Sequence, residues 1–254
     1  PPLIHKVFPI TDAVAAFRYM AASKHVGKVV LDMGNIRNEQ IKRGIICSDA
    51  TYVVTGGLGA LGLELCSWLV EMGARHIALA GRREAGLEAR EKISRLQGQG
   101  VSVMAVSADA SVLEDVERLF SAIGGAMPPV RGVFHAAGVL EDSVILNQDA
   151  ERFRRVMGPK VCGTWNLYNI IKNTDIDFLV LFSSASSVLG SAGQANYAGA
   201  NAFLDSAAYY ISGCGIRTIA IEWGPWAGAG MAAGRPESTL KTEKSGFNKI
   251  EIKD

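Results

Sequence analysis

From residue 51 onward the chain alternates short apolar runs with helix-length segments, and this alternation limits the possible folds more than any other feature. The runs are TYVVT (51 to 55), HIALA (76 to 80), VSVMAVSA (101 to 108), VRGVFHA (130 to 136), DFLVLFS (177 to 183) and IRTIAIEW (216 to 223). All are rich in Val, Ile, Leu, Phe and Ala without polar alternation, as strands buried on both faces must be. Between them, segments 59 to 72, 84 to 97, 111 to 123, 149 to 172 and 195 to 212 are long enough for crossover helices. Strand, helix, strand repeated in this way predicts an α/β fold, a Rossmann-type doubly wound parallel sheet with ligands at the carboxyl ends of its strands. Before one helix, Ser111 and Glu114 have the spacing of a capping box.

Composition agrees with a large buried core: 48% of the 254 residues are hydrophobic and 20% charged. A net charge of +1 gives no electrostatic case for binding nucleic acid or a membrane surface. No apolar run approaches the roughly 18 to 20 residues that span a bilayer, and the first residues lack a signal-peptide layout, so the expected location is cytoplasmic. Cys47, Cys66, Cys162 and Cys214 show no metal or CxxC spacing and read as small, partly buried thiols.

The flanks differ. Residues 1 to 33 contain one amphipathic helix, with Val14, Phe17 and Met20 on its apolar side, and one strand, GKVVLDM. That is too little to form a core of its own. Residues 34 to 44 are a polar connector, and the chain beyond 235 is polar and charged.

TGGLGALG (55 to 62) follows a strand and opens a helix, the context in which a glycine pattern signals a dinucleotide loop. Gly56 and Gly59 would let the backbone turn and approach a pyrophosphate, and Gly62 would allow close helix packing. Thr55, Gly57, Leu58 and Leu61 complete the loop. The next strand ends in Arg82 and Arg83 rather than in an acid, which favours the 2′-phosphate of NADPH over the ribose of NADH. Asp109 would accept from the adenine amine, and Ala136, Ala137 and Gly138 would lie beside the nicotinamide ribose.

Taken together, TGGLGALG, GRR, HAAGVLEDS, PKVCGTWNL, FSSASSVLGSAGQANYAGANAFLD and IEWGPWAGAGMA resemble the catalytic half of the ketoreductase domain of type I polyketide synthases, in the short-chain dehydrogenase/reductase superfamily. The resemblance implies a catalytic set of Lys160, Ser184, Tyr197 and Asn201, with the lysine taken from the helix before the active-site strand and Asn standing one turn after the Tyr. Tyr197 lies 13 residues after Ser184, and Lys160 lies 24 before it, as in the family. Lys160 would also bind the cofactor ribose. Each of these residues alone has a plain structural reading: a packed Tyr, a solvated Lys, a Ser in a turn. It is their joint register with the nucleotide loop that points to chemistry.

The resemblance further implies NADPH-dependent reduction of a β-ketoacyl chain carried on the phosphopantetheine arm of an acyl carrier protein. Leu140, Glu141 and Asp142 stand where a Leu-Asp-Asp signature associates with the D alcohol, and Leu189 stands where a Trp would associate with the other product. Residues 1 to 33 resemble the end of an enoylreductase domain. This gives an expected organisation of 1–33 enoylreductase remnant, 34–49 linker, 50–231 catalytic domain and 232–254 lid region. The structural half of the ketoreductase would then lie upstream, and a catalytic half alone would turn over slowly. Two rival readings are a catalytically silent nucleotide-binding module, against which the full catalytic set argues, and another dehydrogenase or epimerase of the superfamily, in which Lys would occupy position 201.

Overall fold

The computed structural model describes residues 3–9, 12–23, 25–32, 45–227 and 249–251. The chain divides into two compact units, Pro1–Ile45 and Ile46–Asp254. Most of the expected linker and lid, residues 33–44, 228–248 and 252–254, lies outside the described residues.

In the first unit, β1 (Ile4–Pro9), α1 (Ala13–Ala21) and β2 (Lys28–Asp32) form a parallel βαβ pair. The helix and second strand match the sequence; β1 does not follow from it, because IHKVFP interrupts its apolar residues with His5 and Lys6. The helix also faces a different way from the expected one. Ala16 is its buried residue, with Ala13 and Tyr19 half-buried, whereas Val14, Phe17 and Met20 are 64%, 65% and 43% exposed. Aromatic contacts account for the choice: the Tyr19 ring meets Phe8 and His5, with Lys6 4.8 Å above it.

The second unit is built on six parallel strands, β3 (Thr51–Thr55), β4 (His76–Gly81), β5 (Ser102–Ser107), β6 (Val130–His135), β7 (Phe178–Ser184) and β8 (Thr218–Trp223). Their order is β5-β4-β3-β6-β7-β8, so the chain reverses direction across the sheet between β3 and β6. That switch point leaves a crevice at the carboxyl ends of these two strands. The connecting helices are α2 (Ala60–Glu71), α3 (Leu87–Gly98), α4 (Leu113–Ala126), α5 (Ala150–Ile171), the short α6 (Ser186–Leu189) and α7 (Ala195–Gly213). Only α6 has no counterpart in the sequence reading, since four residues carry no helical period.

Successive strand residues supply two cores. Val53, Val133, Leu179 and Leu181 pack with Val116 and Leu119 of α4, Leu167 of α5 and Leu204 of α7. Tyr52, Val54, Ile77 and Phe134 pack with Leu63 and Leu69 of α2 and Leu96 of α3. This is the three-layer arrangement that runs apolar on both faces require. The capping box is not formed: Ser111 Oγ donates to Asp109 instead, 2.6 Å away, and α4 begins two residues later without a side-chain cap. The cysteines also divide differently, Cys66 buried and Cys47 half-buried, but Cys162 and Cys214 exposed, and no disulfide joins any of them.

Leu181, on β7 between β6 and β8, has no exposure, and Leu87 is 77% exposed. Denaturant unfolding of Leu181→Ala is expected to show a loss of about 2–5 kcal/mol. Leu87→Ala is expected to stay within about 0.5 kcal/mol of the wild type.

Candidate active site

The loop from β3 to α2 lies at the switch point, and its glycines answer to different constraints. Gly56 has φ +71°, and a Cβ there would lie 2.7 Å from the Ala136 carbonyl oxygen. A Cβ on Gly57 would come 2.6 Å from the Val54 oxygen, and one on Gly62 2.5 Å from the Gly56 oxygen. These three are demanded by the fold itself; Gly62 serves to pack the helix onto the loop. At Gly59 a Cβ would meet only the Gly56 oxygen, at 3.3 Å, a milder constraint than at the other three. Gly59 also heads α2 with no side-chain cap, which leaves the helix N-terminus able to face an anion. Leu58 lies against Gly81 at the end of β4, and Leu61 is half-buried in the first turn of α2.

Around this loop, Arg82 and Arg83 are exposed after β4, and neither guanidinium has an ion pair among the described residues. Asp109 follows β5, where its Oδ1 accepts from the Ser111 amide and hydroxyl. Ala136, Ala137 and Gly138 follow β6, with the Ala136 amide donating to the Thr55 carbonyl. Thr55 is not open to a ligand: its buried hydroxyl donates to His135 Nδ1, 2.6 Å away.

His135 itself is a site residue that sequence reasoning passed over. Its Nε2–H donates to the Pro159 carbonyl at 2.9 Å, so one buried ring joins β3, β6 and α5. Burial, helped by the nearby Lys160 charge, pushes its pKa down to about 3 and keeps it neutral. Gly163, one turn beyond, is small because a Cβ there would lie 3.0 Å from the imidazole. The polar residue closing a strand before HAAG's three small residues was the available signal.

Directly after Pro159, Lys160 projects from α5 into the interior, with Nζ donating to the Phe182 carbonyl at 2.8 Å. It is 3% exposed, and burial pushes its pKa down to about 7 against the opposing pull of Asp205. The Nζ lies 5.6 Å from the centroid of the Tyr197 ring. Tyr197, in the first turn of α7, has its pKa raised by burial, while polar interactions with Asn201 and Ser184 favour the phenolate. Asn201 Nδ2 donates to the Tyr197 carbonyl at 2.8 Å, leaving Oδ1 buried without a hydrogen-bond partner among the described residues. Ser184 ends β7, and its Oγ accepts from Ser186. All four residues expected to act together therefore converge beside the switch-point crevice, from α5, β7 and α7.

A second group borders them. Glu141 takes both carboxylate oxygens to Arg155 of α5 at 2.7 Å, and its carbonyl accepts from Asn196. Asp142 accepts from Gln194 at 3.1 and 3.2 Å. The loop is thus fastened to α5 and to the start of α7, and the Glu141 carboxyl is held below its usual range by Arg155. Leu140 is half-buried, and Leu189, on α6, is 62% exposed.

The family described as the KR domain matches residues 50–228. The highly reducing polyketide synthase PKS6 of Gibberella zeae is 36% identical over 257 residues, covering 97% of this chain and 10% of that protein. The spectinabilin polyketide synthase system protein NorB of Streptomyces orinoci is 37% identical over 260 residues, covering 100% of this chain and 11% of that protein. The chain thus spans about a tenth of the length of these relatives. Among solved structures, an A-type ketoreductase from a modular polyketide synthase superposes with a TM-score of 0.76 at 32% identity, over 84% of this chain and 44% of that one. A C2-type ketoreductase superposes with a TM-score of 0.71 at 25% identity, over 81% of this chain and 44% of that one.

The neutral His135 has a measurable consequence. Its folded pKa of about 3 lies below the unfolded value, so between the two the unfolded state binds the extra proton and stability falls as pH falls. Urea unfolding is expected to show His135→Asn gaining on the wild type by about 1.4 kcal/mol per pH unit between pH 6 and 4. A difference that stays constant with pH would contradict the buried neutral imidazole.

Proposed function

The chain belongs to the KR domain family, an oxidoreductase domain of polyketide synthases, and on that premise we propose that it reduces a β-ketoacyl thioester to the β-hydroxyacyl thioester with NADPH. The observation that carries this reading is the placement of the buried Lys160 side chain with its Nζ 5.6 Å from the centroid of the Tyr197 ring, in a unit whose glycine loop opens α2 without a side-chain cap.

The residues fit a dinucleotide. The uncapped N-terminus of α2 would take the pyrophosphate, Arg82 or Arg83 the 2′-phosphate, and Lys160 the nicotinamide ribose. NADPH, when bound, supplies the hydride. The protein's part is the proton and the field. Ser184 holds the substrate carbonyl and stabilises the negative charge that develops on its oxygen. Tyr197 gives its phenolic proton to that oxygen. A phenol of ordinary pKa about 10 is a weak acid near neutrality, and burial makes it weaker. The Lys160 charge offsets this by stabilising the phenolate left behind. The buried Asn201 Oδ1 is an acceptor for a water or for Lys160 in the reprotonation of Tyr197.

The substrate is a chain on the phosphopantetheine arm of an acyl carrier protein of the same synthase, as supported by the multidomain relatives. The product is the D alcohol, a reading supported by Leu140, Glu141 and Asp142 and by the absence of Trp at Leu189. Glu141 departs from the Leu-Asp-Asp pattern, but its ion pair with Arg155 keeps the loop anchored.

NADPH oxidation with a β-ketoacyl N-acetylcysteamine thioester tests the reading. Tyr197→Phe is expected to lower kcat/KM by about 100- to 10,000-fold while NADPH still binds. A folded Tyr197→Phe variant as fast as the wild type, or a predominantly L product, would contradict the proton-donor or the stereochemical assignment respectively.

A further inference from the structure

Glu141 is gripped from two helices at once. Its carboxylate takes both oxygens to Arg155 of α5, the helix that carries Lys160, and its carbonyl accepts from Asn196 Nδ2 at 2.9 Å, on α7 directly before Tyr197. The Asn196 side chain is fully buried and uses both ends of its amide, because Oδ1 accepts from the Tyr197 amide at 2.8 Å. That amide lies in the first turn of α7, ahead of the first intrahelical bond from the Ala198 amide to the Gln194 carbonyl, so the helix itself offers it no acceptor. One buried carboxamide therefore joins the backbone of the 140 to 142 loop to the backbone of the proposed proton donor.

The partners fix both the orientation and the residue type. Turning the amide over would set oxygen against the Glu141 carbonyl and N–H against the Tyr197 N–H. An Asp would keep the acceptor for Tyr197 but oppose the Glu141 carbonyl with a second oxygen, and a Leu would leave a buried carbonyl and a buried N–H without partners. Two further ties run beside this one: the Ser143 amide donates to the Gly193 carbonyl at 2.8 Å, and Gln194 donates to the carboxylate of the exposed Asp142. Of the three, the tie through Asn196 is the one whose side chain is closed to water.

We propose that Asn196 is a positioning residue for the reaction: it holds the Tyr197 backbone and the loop bordering the site in one register, so that the phenol meets the substrate carbonyl in a single orientation. This rests on the reading of Tyr197 as the proton donor given above. Asn196 touches neither substrate nor cofactor in this account and acts through the backbones of Tyr197 and Glu141. Misplacing a reacting group by about 1 Å is enough to cost roughly a hundredfold in rate. The groups proposed for the phosphates of NADPH lie on other elements, at the start of α2 and after β4, so cofactor binding does not depend on this tie. A merely structural Asn would change stability and leave the turnover and the product ratio of the folded protein in place.

Asn196→Asp and Asn196→Leu, measured as folded protein with a β-ketoacyl N-acetylcysteamine thioester, provide the test. In both, kcat is expected to fall by about tenfold or more and the minor alcohol enantiomer to rise, while NADPH affinity stays at the wild-type value. Folded variants with wild-type kcat and enantiomer ratio would overturn the role of Asn196, as would a loss of NADPH affinity that matches the fall in kcat. The wild-type protein adds a readout that needs no variant: the Asn196 side-chain NH2, followed by 15N NMR, is expected to be protected from exchange with solvent, and rapid exchange there would overturn the tether. Tyr197→Phe separates the two claims: wild-type turnover there would sink the proton-donor reading itself, whereas an inactive Tyr197→Phe beside Asn196 variants of unchanged kcat and enantiomer ratio would sink only this inference.

Discussion

A single buried cation organises this site. Lys160 is almost wholly removed from water, so its charge is expensive to keep and correspondingly strong in its effect on nearby groups. Burial brings its pKa close to neutrality, which makes its state sensitive to every polar group around it. The Phe182 carbonyl fixes its head, and the ring of Tyr197, whose carbonyl accepts from Asn201, lies beside it on α7. The rest of the second unit supplies the position of that side chain and the dryness around it.

The support can be followed through the sheet. The strand order reverses between β3 and β6, and at that reversal the His135 ring reaches from Thr55 on one side to Pro159 on the other. Pro159 immediately precedes Lys160, so the strand that leads into the glycine loop and the helix that carries Lys160 are anchored to the same imidazole. Gly163 gives that ring its space, and Gly56 and Gly62 close the loop tightly against Ala136 and the first turn of α2. A rigid frame of this kind lets the reacting groups be held without a mobile charge being reorganised during the reaction.

Most of the fold was legible because strands buried on both faces are continuous apolar runs, and all six were found within a residue or two of their ends. The failures have local causes. In α1 the sequence offers two apolar stripes, and the Ala13, Ala16 and Tyr19 face won because the Tyr19 ring has partners on β1. Ser111 had two possible partners and took the closer carboxylate of Asp109. The proposed set of Lys160, Ser184, Tyr197 and Asn201 was legible only through a resemblance, since no periodicity links residue 160 to residue 197. The Arg155 to Glu141 pairing carries no motif at all; only the packing of the 140 to 142 loop against α5 reveals it.

The central claim, that the Lys160 charge makes Tyr197 a competent proton donor, is tested most directly by Lys160→Met. The variant keeps most of the length of the side chain and removes the cation. Measured on folded protein saturated with NADPH, β-ketoacyl thioester reduction is expected to fall by about a hundredfold or more. A folded Lys160→Met chain that reduces the thioester at the wild-type rate would contradict the account.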